Sequence, residues 1–122
     1  MPERPDVPLA WVERLRSMLD FPDCVEQAAW TGVCWRVGTV TVAHAFGGED
    51  QRFRITFRAE PDEVMAFEHL GEPYFRASWG PNVVGLLLDE RTDWEELAEL
   101  LTDSYCIQAP ATLAARVRRP GD

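Results

Sequence analysis

The chain contains no lysine: all 12 of its basic residues are arginine. That rules out a Schiff-base lysine, pyridoxal-phosphate attachment and a phosphate-binding loop ending in Lys-Ser/Thr. Cysteine is sparse. Cys24, Cys34 and Cys106 stand at wide spacing with no C-x-x-C pair, so no disulfide framework is expected and the thiols are read as free. No two of the histidines and cysteines fall at the short spacing that zinc sites use, and no metal site is expected. Serine occurs only at 17, 78 and 104, and no Gly-x-Ser-x-Gly is present. Gly47-Gly48 lies between two predicted strands and is no Gly-x-Gly-x-x-Gly. Long apolar runs are missing too. The longest, Val83 to Leu88, is strand-sized and far below a membrane span. The N-terminal stretch Met-Pro-Glu-Arg-Pro-Asp-Val-Pro has no apolar segment of the signal-peptide kind. A cytoplasmic protein with reduced thiols, no membrane contact, no cofactor and no catalytic residue is therefore expected.

What is present is ample for one folded unit. The 122 residues are 46% hydrophobic and 11% aromatic, enough for a core without metal or disulfide support. No repeat or linker divides the chain, so a single domain over 1–122 is expected, with an ordered core of about 8–115 and short loose ends at 1–7 and 117–122. Acidic residues number 21, which gives a net charge of −9. Averaged over the molecule, that charge opposes binding to nucleic acid or to an anionic membrane.

Periodicity predicts a first helix over 8–20, with Trp11, Val12, Leu15, Met18 and Leu19 at helical spacing. Three strands follow near 33–37, 39–46 and 51–58, the last two joined through a Gly47-Gly48-Glu49-Asp50 hairpin tip. The third alternates cleanly: Phe53, Ile55 and Phe57 point one way, and Arg52, Arg54, Thr56 and Arg58 the other. Pro61 opens a helix over 61–70, and Gly71 stands just past its end. Strands near 73–79 and 83–89 precede a last helix that begins at Asp93, where Asp93-Trp94-Glu95-Glu96 has capping-box spacing. A further short helix near 111–118 is compatible with the pattern. The order is α-β3-α-β2-α. Tight turns imply antiparallel pairing, and three amphipathic helices need one sheet face to cover, so a two-layer α+β fold is expected.

Charge is segregated along this order. Residues 59–75 hold Glu60, Asp62, Glu63, Glu68 and Glu72, and the last helix holds Asp93, Glu95, Glu96, Glu99 and Asp103, whereas residues 30–58 hold Arg36, Arg52, Arg54 and Arg58 against Glu49 and Asp50. The arginines have two readings: a face that meets phosphates or carboxylates, or a solvated strand face paired with neighbouring acids, the latter being the commoner case. Cys34 and His44 fall on adjacent predicted strands. His44 shares strand parity with Val40, Val42 and Phe46, so a hydrogen-bonded histidine at the core edge is preferred to a catalytic Cys–His pair. Trp79 and Trp94 are read as lids over the core before stacking surfaces.

The string Trp79-Gly80, Val84-Gly85-Leu86-Leu87-Leu88-Asp89, Asp93-Trp94-x-Glu96-Leu97, Leu100-Leu101, Ser104-Tyr105 and Ala109-Pro110 resembles the MmcQ/YjbR family. Phe21-Pro22-Asp23-Cys24-Val25-Glu26 and Trp35-Arg36-Val37-Gly38 extend the resemblance toward the N-terminus. The resemblance implies a fold similar to that of secretion chaperones, fold-stabilising roles for Trp79, Asp93, Trp94, Ser104 and Tyr105, and DNA binding through a double-wing arrangement of hairpins. Where relatives often carry Gly-Lys at the first hairpin, this chain has Thr39-Val40, and where they carry lysine after Ala-Pro it has Ala111-Thr112.

The expectation is thus a non-enzymatic domain that binds DNA through Arg36, Arg52, Arg54, Arg58 and Arg76. The alternative is a protein- or peptide-interaction module that uses the sheet face or an edge. A monomer is favoured.

Overall fold

A computed structural model of the chain describes residues 3–119. Its elements are α1 (Leu9–Met18), β1 (Cys24–Ala28), β2 (Val33–Val37), β3 (Val40–Gly47), β4 (Phe53–Arg58), α2 (Pro61–Leu70), β5 (Tyr74–Arg76), β6 (Val83–Leu88), α3 (Trp94–Gln108) and α4 (Ala111–Ala114). The six strands form one antiparallel sheet in the order β1-β2-β3-β4-β6-β5. The α+β class and the placement of the helices on one face agree with the sequence.

The strand count does not: four strands, not three, precede α2. The extra one is β1, an edge strand with little apolar alternation. Its inward Glu26 is held by Arg16 of α1 at 2.8 and 3.0 Å, so its one strand-like signal is masked by a carboxylate. The packed chain also extends past the expected ends at both termini. Val7 is buried in the core, and Val117 packs against it. Gln51 Nε2 donates to the Glu3 carbonyl at 2.8 Å, and Arg119 pairs with Asp103 at 3.1 Å. The rest of both expected loose ends, residues 1–2 and 120–122, lies outside the described residues.

Register defines the two faces. Ile55 and Phe57 of β4 pair with Leu86 and Val84 of β6, and Ile55 pairs across with Ala45 of β3. These side chains meet Val12 and Leu15 of α1, Val64 of α2, and Leu97, Leu101 and Tyr105 of α3 in the core. Each such leucine, fully removed from water, stabilises the fold by about 1.5–3 kcal/mol. Trp11 stands edge-on to Phe53 and to Trp94, at 5.4 and 6.1 Å between ring centroids, locking α1 to β4 and α3.

One irregularity shapes both faces. Between Trp35 and Arg36 the register of β2 on β3 shifts: Trp35 pairs with Ala43 but Arg36 with Thr41. Val42 is the extra residue of a β-bulge. A bulge leaves backbone groups without ladder partners, and α3 supplies them. The fully buried Ser104 hydroxyl donates to the Val42 carbonyl at 2.6 Å and accepts the Arg58 N–H at 2.9 Å. Gln108 Nε2 donates to the Thr41 carbonyl at 2.9 Å. One helix thereby fixes β3 and β4, two of the strands that carry the candidate site.

Candidate binding face

The bulge resets the side-chain parity of β3. Val42 turns into the core, while His44 and Phe46 stay on the helix-free side, opposite Thr56 and Arg54 of β4. The expected grouping of Val42 with His44 therefore fails, because strict alternation does not survive an inserted residue. On this face Arg36 stands beside Thr41 in one row, and Cys34, His44 and Thr56 form the next row across three strands. Val83, Gly85 and Leu87 of β6 continue it, and Phe75 of β5 lies over Gly85. A Cβ at Gly85 would collide with the Phe75 ring, so only glycine admits that aromatic cover.

Ala29, Cys34, Thr41, His44, Thr56, Arg58, Trp79 and Val83 line a cleft of about 290 Å³ on this face. His44 Nε2 lies 2.6 Å from the Thr31 carbonyl. A carbonyl only accepts, so Nε2 carries the proton and Nδ1 is the free acceptor in the neutral ring. The imidazole packs against Phe46 at 4.7 Å, and Trp79 stands edge-on to Phe46 at 6.1 Å. Trp79 is 60% exposed and Trp30, next to the cleft-lining Ala29, is 97% exposed. Trp79 is therefore a rim and not the core lid expected from its place before a Gly-Pro turn.

The five nominated arginines do not act as one group. Arg54 is held by Asp50 through two bonds, at 2.7 and 3.2 Å. The Arg54 guanidinium, with the Arg52 N–H, holds the Asp50 carboxyl down to about 2. Arg52 lies just outside β4 and 3.6 Å from Glu72. Arg76 shares the helix-covered side with Tyr74 and sits 3.6 Å from Glu68 of α2. Arg36 and Arg58 differ from these three. Arg36 Nη2 donates to the Thr39 carbonyl at 2.6 Å, and its buried Nε has no partner among the described residues. Arg58 Nη1 donates to the Pro81 carbonyl at 2.8 Å. Both are bound to neutral backbone carbonyls, and neither forms an ion pair with a carboxylate among the described residues. The Arg58 bond also ties down the loop that carries Trp79.

Other nominated residues sit outside the cleft. Asp93 caps α3 by accepting the Glu96 N–H at 3.1 Å. The Glu96 carboxylate takes the Tyr74 hydroxyl, and burial, reinforced by that bond, raises the Tyr74 pKa. Trp94 lies under the Arg14 guanidinium at 4.7 Å. Tyr105 donates to the Pro22 carbonyl at 2.7 Å and stacks on Phe21 at 4.6 Å, joining α3 to the turn before β1. Cys24 is half-buried, and burial lifts its thiol to about 11. Among the described residues no cluster of three metal-ligating side chains occurs and no helix is long and apolar enough to cross a membrane.

A two-layer α+β domain with every long helix on one side of a six-stranded sheet, and a cleft on the other, is the class these features define. The YjbR family model matches residues 19–107, and the chain belongs to that family. The chain is similar in fold to a Deinococcus radiodurans protein with a DUF419 domain, solved by crystallography. The TM-score is 0.69 at 18% identity, over 98% of this chain and 92% of that one. No curated protein matches the chain.

Proposed function

We propose that the domain is a binding module whose partner, a protein segment, docks on the helix-free face of the sheet. The observation that carries this reading is the unequal treatment of the two faces. Helices bury one side, while the other presents a cleft rimmed by the exposed Trp79 indole and by Arg58, which forms no ion pair with a carboxylate among the described residues. An exposed tryptophan at the rim of a cleft is the kind of anchor that protein contacts favour. DNA binding through an arginine ladder has weaker support. Of Arg36, Arg52, Arg54, Arg58 and Arg76, one lies on the opposite face and two more are offset by Asp50 and Glu72. The net charge of −9 also disfavours long-range attraction to a duplex.

Selection of displayed random peptides on the immobilised domain tests the reading. Peptides that bind the parent domain and lose binding to Trp79→Ala support it. Peptides that bind both equally, or a labelled DNA duplex that binds at low salt with a steep salt dependence, contradict it.

A further inference from the structure

We infer that the free edge of β1 pairs with β1 of a second copy, so that two chains share one continuous antiparallel sheet. β1 ends the sheet and has β2 as its only neighbouring strand. Its hydrogen-bonding parity is set at the following turn, where the Ala29 N–H donates to the Gly32 carbonyl at 3.1 Å. Alternate residues of an antiparallel strand bond to the same neighbour, so Gln27 and Val25 also face β2. Glu26 and Ala28 therefore turn both their N–H and C=O groups outward, and no loop or helix of the described residues takes them. Cys24 shares that parity, but its N–H already donates to the Phe21 carbonyl at 3.1 Å.

Backbone groups left open in a row are a template for another strand. The opposite edge of the sheet is guarded. There β5 covers only Tyr74–Arg76, follows Pro73 and has Glu68 and Glu72 beside it. Short length, proline and charge are the devices that close an edge to other strands. β1 has none of them: it runs over five residues without proline, and its one charge, Glu26, is paired with Arg16.

Two properties of this edge select a second copy as its occupant. The first is self-complementarity. About a two-fold axis at Gln27, Glu26 of each copy faces Ala28 of the other, and each such pair exchanges both of its N–H···O=C bonds. That register uses the residues whose backbone groups are both open and asks nothing of the Cys24 N–H. It also sets Val25 beside Ala29 of the second copy and Trp30 beside its Cys24, which draws exposed apolar surface out of water. The second property is charge. Residues 24–45 hold one acid and one arginine, Glu26 and Arg36, in a chain of net charge −9. Two acidic molecules that approach by β1 meet through a segment without net charge, where repulsion between them is weak. The axis stands perpendicular to the sheet, so the helix-free faces of both copies look the same way. No cleft residue takes part, and the inference is independent of the docking reading.

Sedimentation equilibrium of the full chain, with residue-resolved amide hydrogen exchange at low micromolar and at millimolar concentration, tests it. Expected is a concentration-dependent dimer in which the Glu26 and Ala28 amides exchange several-fold more slowly in the concentrated sample. Val25 and Gln27, already bonded to β2, should be equally protected in both. Ala28→Pro removes an N–H that the fold of the single chain does not use. It should weaken the dimer more than about tenfold, as for lost backbone hydrogen bonds, with the far-ultraviolet circular dichroism of the parent. Trp79→Ala should leave the dimer unchanged. A chain that stays monomeric at millimolar concentration, a dimer that persists in folded Ala28→Pro, or a dimer lost with Trp79→Ala would overturn the inference. So would a monomeric chain in which selected peptides slow the Glu26 and Ala28 amides, because the edge would then belong to a foreign strand. If Ala28→Pro does not fold, the exchange rates of the parent chain decide alone.

Discussion

The two faces of the sheet are made from the same strands, yet their residues answer to different demands. On the covered face Ala43, Ala45, Ile55, Val84, Leu97 and Leu101 are almost wholly buried, and the polar groups among them, such as Ser104, are spent on closing the bulge. On the open face Cys34, His44 and Arg58 remain partly accessible, and Trp79 stands out into solvent. A side chain buried beneath helices stabilises the fold, whereas one left at a cleft rim stabilises it little and is free to serve contact with a partner. The difference teaches that binding and stability should separate between the side chains buried beneath the helices and the exposed rim of the open face, whose floor of Phe46, Thr56, Val83 and Leu87 is itself buried.

The largest effect that probes this separation is on the covered side. Leu101→Ala removes a fully buried side chain and should cost about 3 kcal/mol of stability in urea denaturation, with the peptide affinity of the surviving folded fraction unchanged. Next is Ser104→Ala. It strips the Val42 carbonyl of its donor and the Arg58 N–H of its acceptor, and should cost about 2 kcal/mol by the same measurement. Hydrogen exchange at Arg58 should speed up selectively. Trp79→Ala, on the open side, should change stability by less than about 1 kcal/mol while abolishing selected-peptide binding. A loss of several kcal/mol there would erase the distinction between the faces.

The smallest effect concerns the rim of the open face. Asp50 titrates at about 2 in the fold against an ordinary 3.8, because Arg54 and the Arg52 N–H favour its charged form. A lowered folded pKa means that the stabilising contribution is complete above about 4 and is lost as the pH falls toward 2. The thermal midpoint of the parent chain should therefore exceed that of Asp50→Asn at neutral pH by a small margin, and the gap should close between about pH 4 and pH 2. A gap that persists at pH 2 would show that Asp50 acts through something other than its charge.

Much of the covered face was legible in the sequence because it obeys simple periods. Phe53-x-Ile55-x-Phe57 reads as a half-buried strand, and Pro61 with Gly71 brackets a helix that forms as Pro61–Leu70. The open face was less legible, for local reasons. The bulge at Val42 carries no sequence signal of its own, and without it parity sends His44 to the wrong neighbours. β1 reads poorly because Glu26 points inward and finds Arg16, a partner ten residues away. Charge alone groups Arg76 with the other arginines. Its side became clear only from the pairing of Tyr74 with Leu86, which follows from β6 lying between β4 and β5. The cleft itself combines residues from four separate segments, so no motif could announce it. The nearest signal was Cys34 and His44 on adjacent strands, which the structure places directly opposite each other.

The most direct test of binding by the open face is chemical-shift mapping of a selected peptide on the intact domain. Expected is a contiguous set of shifts at Cys34, His44, Phe46, Thr56 and the Trp79 indole, with the exposed amides of α2 and α3 unmoved. Shifts centred on α2 or α3, with the Trp79 indole still, would contradict it.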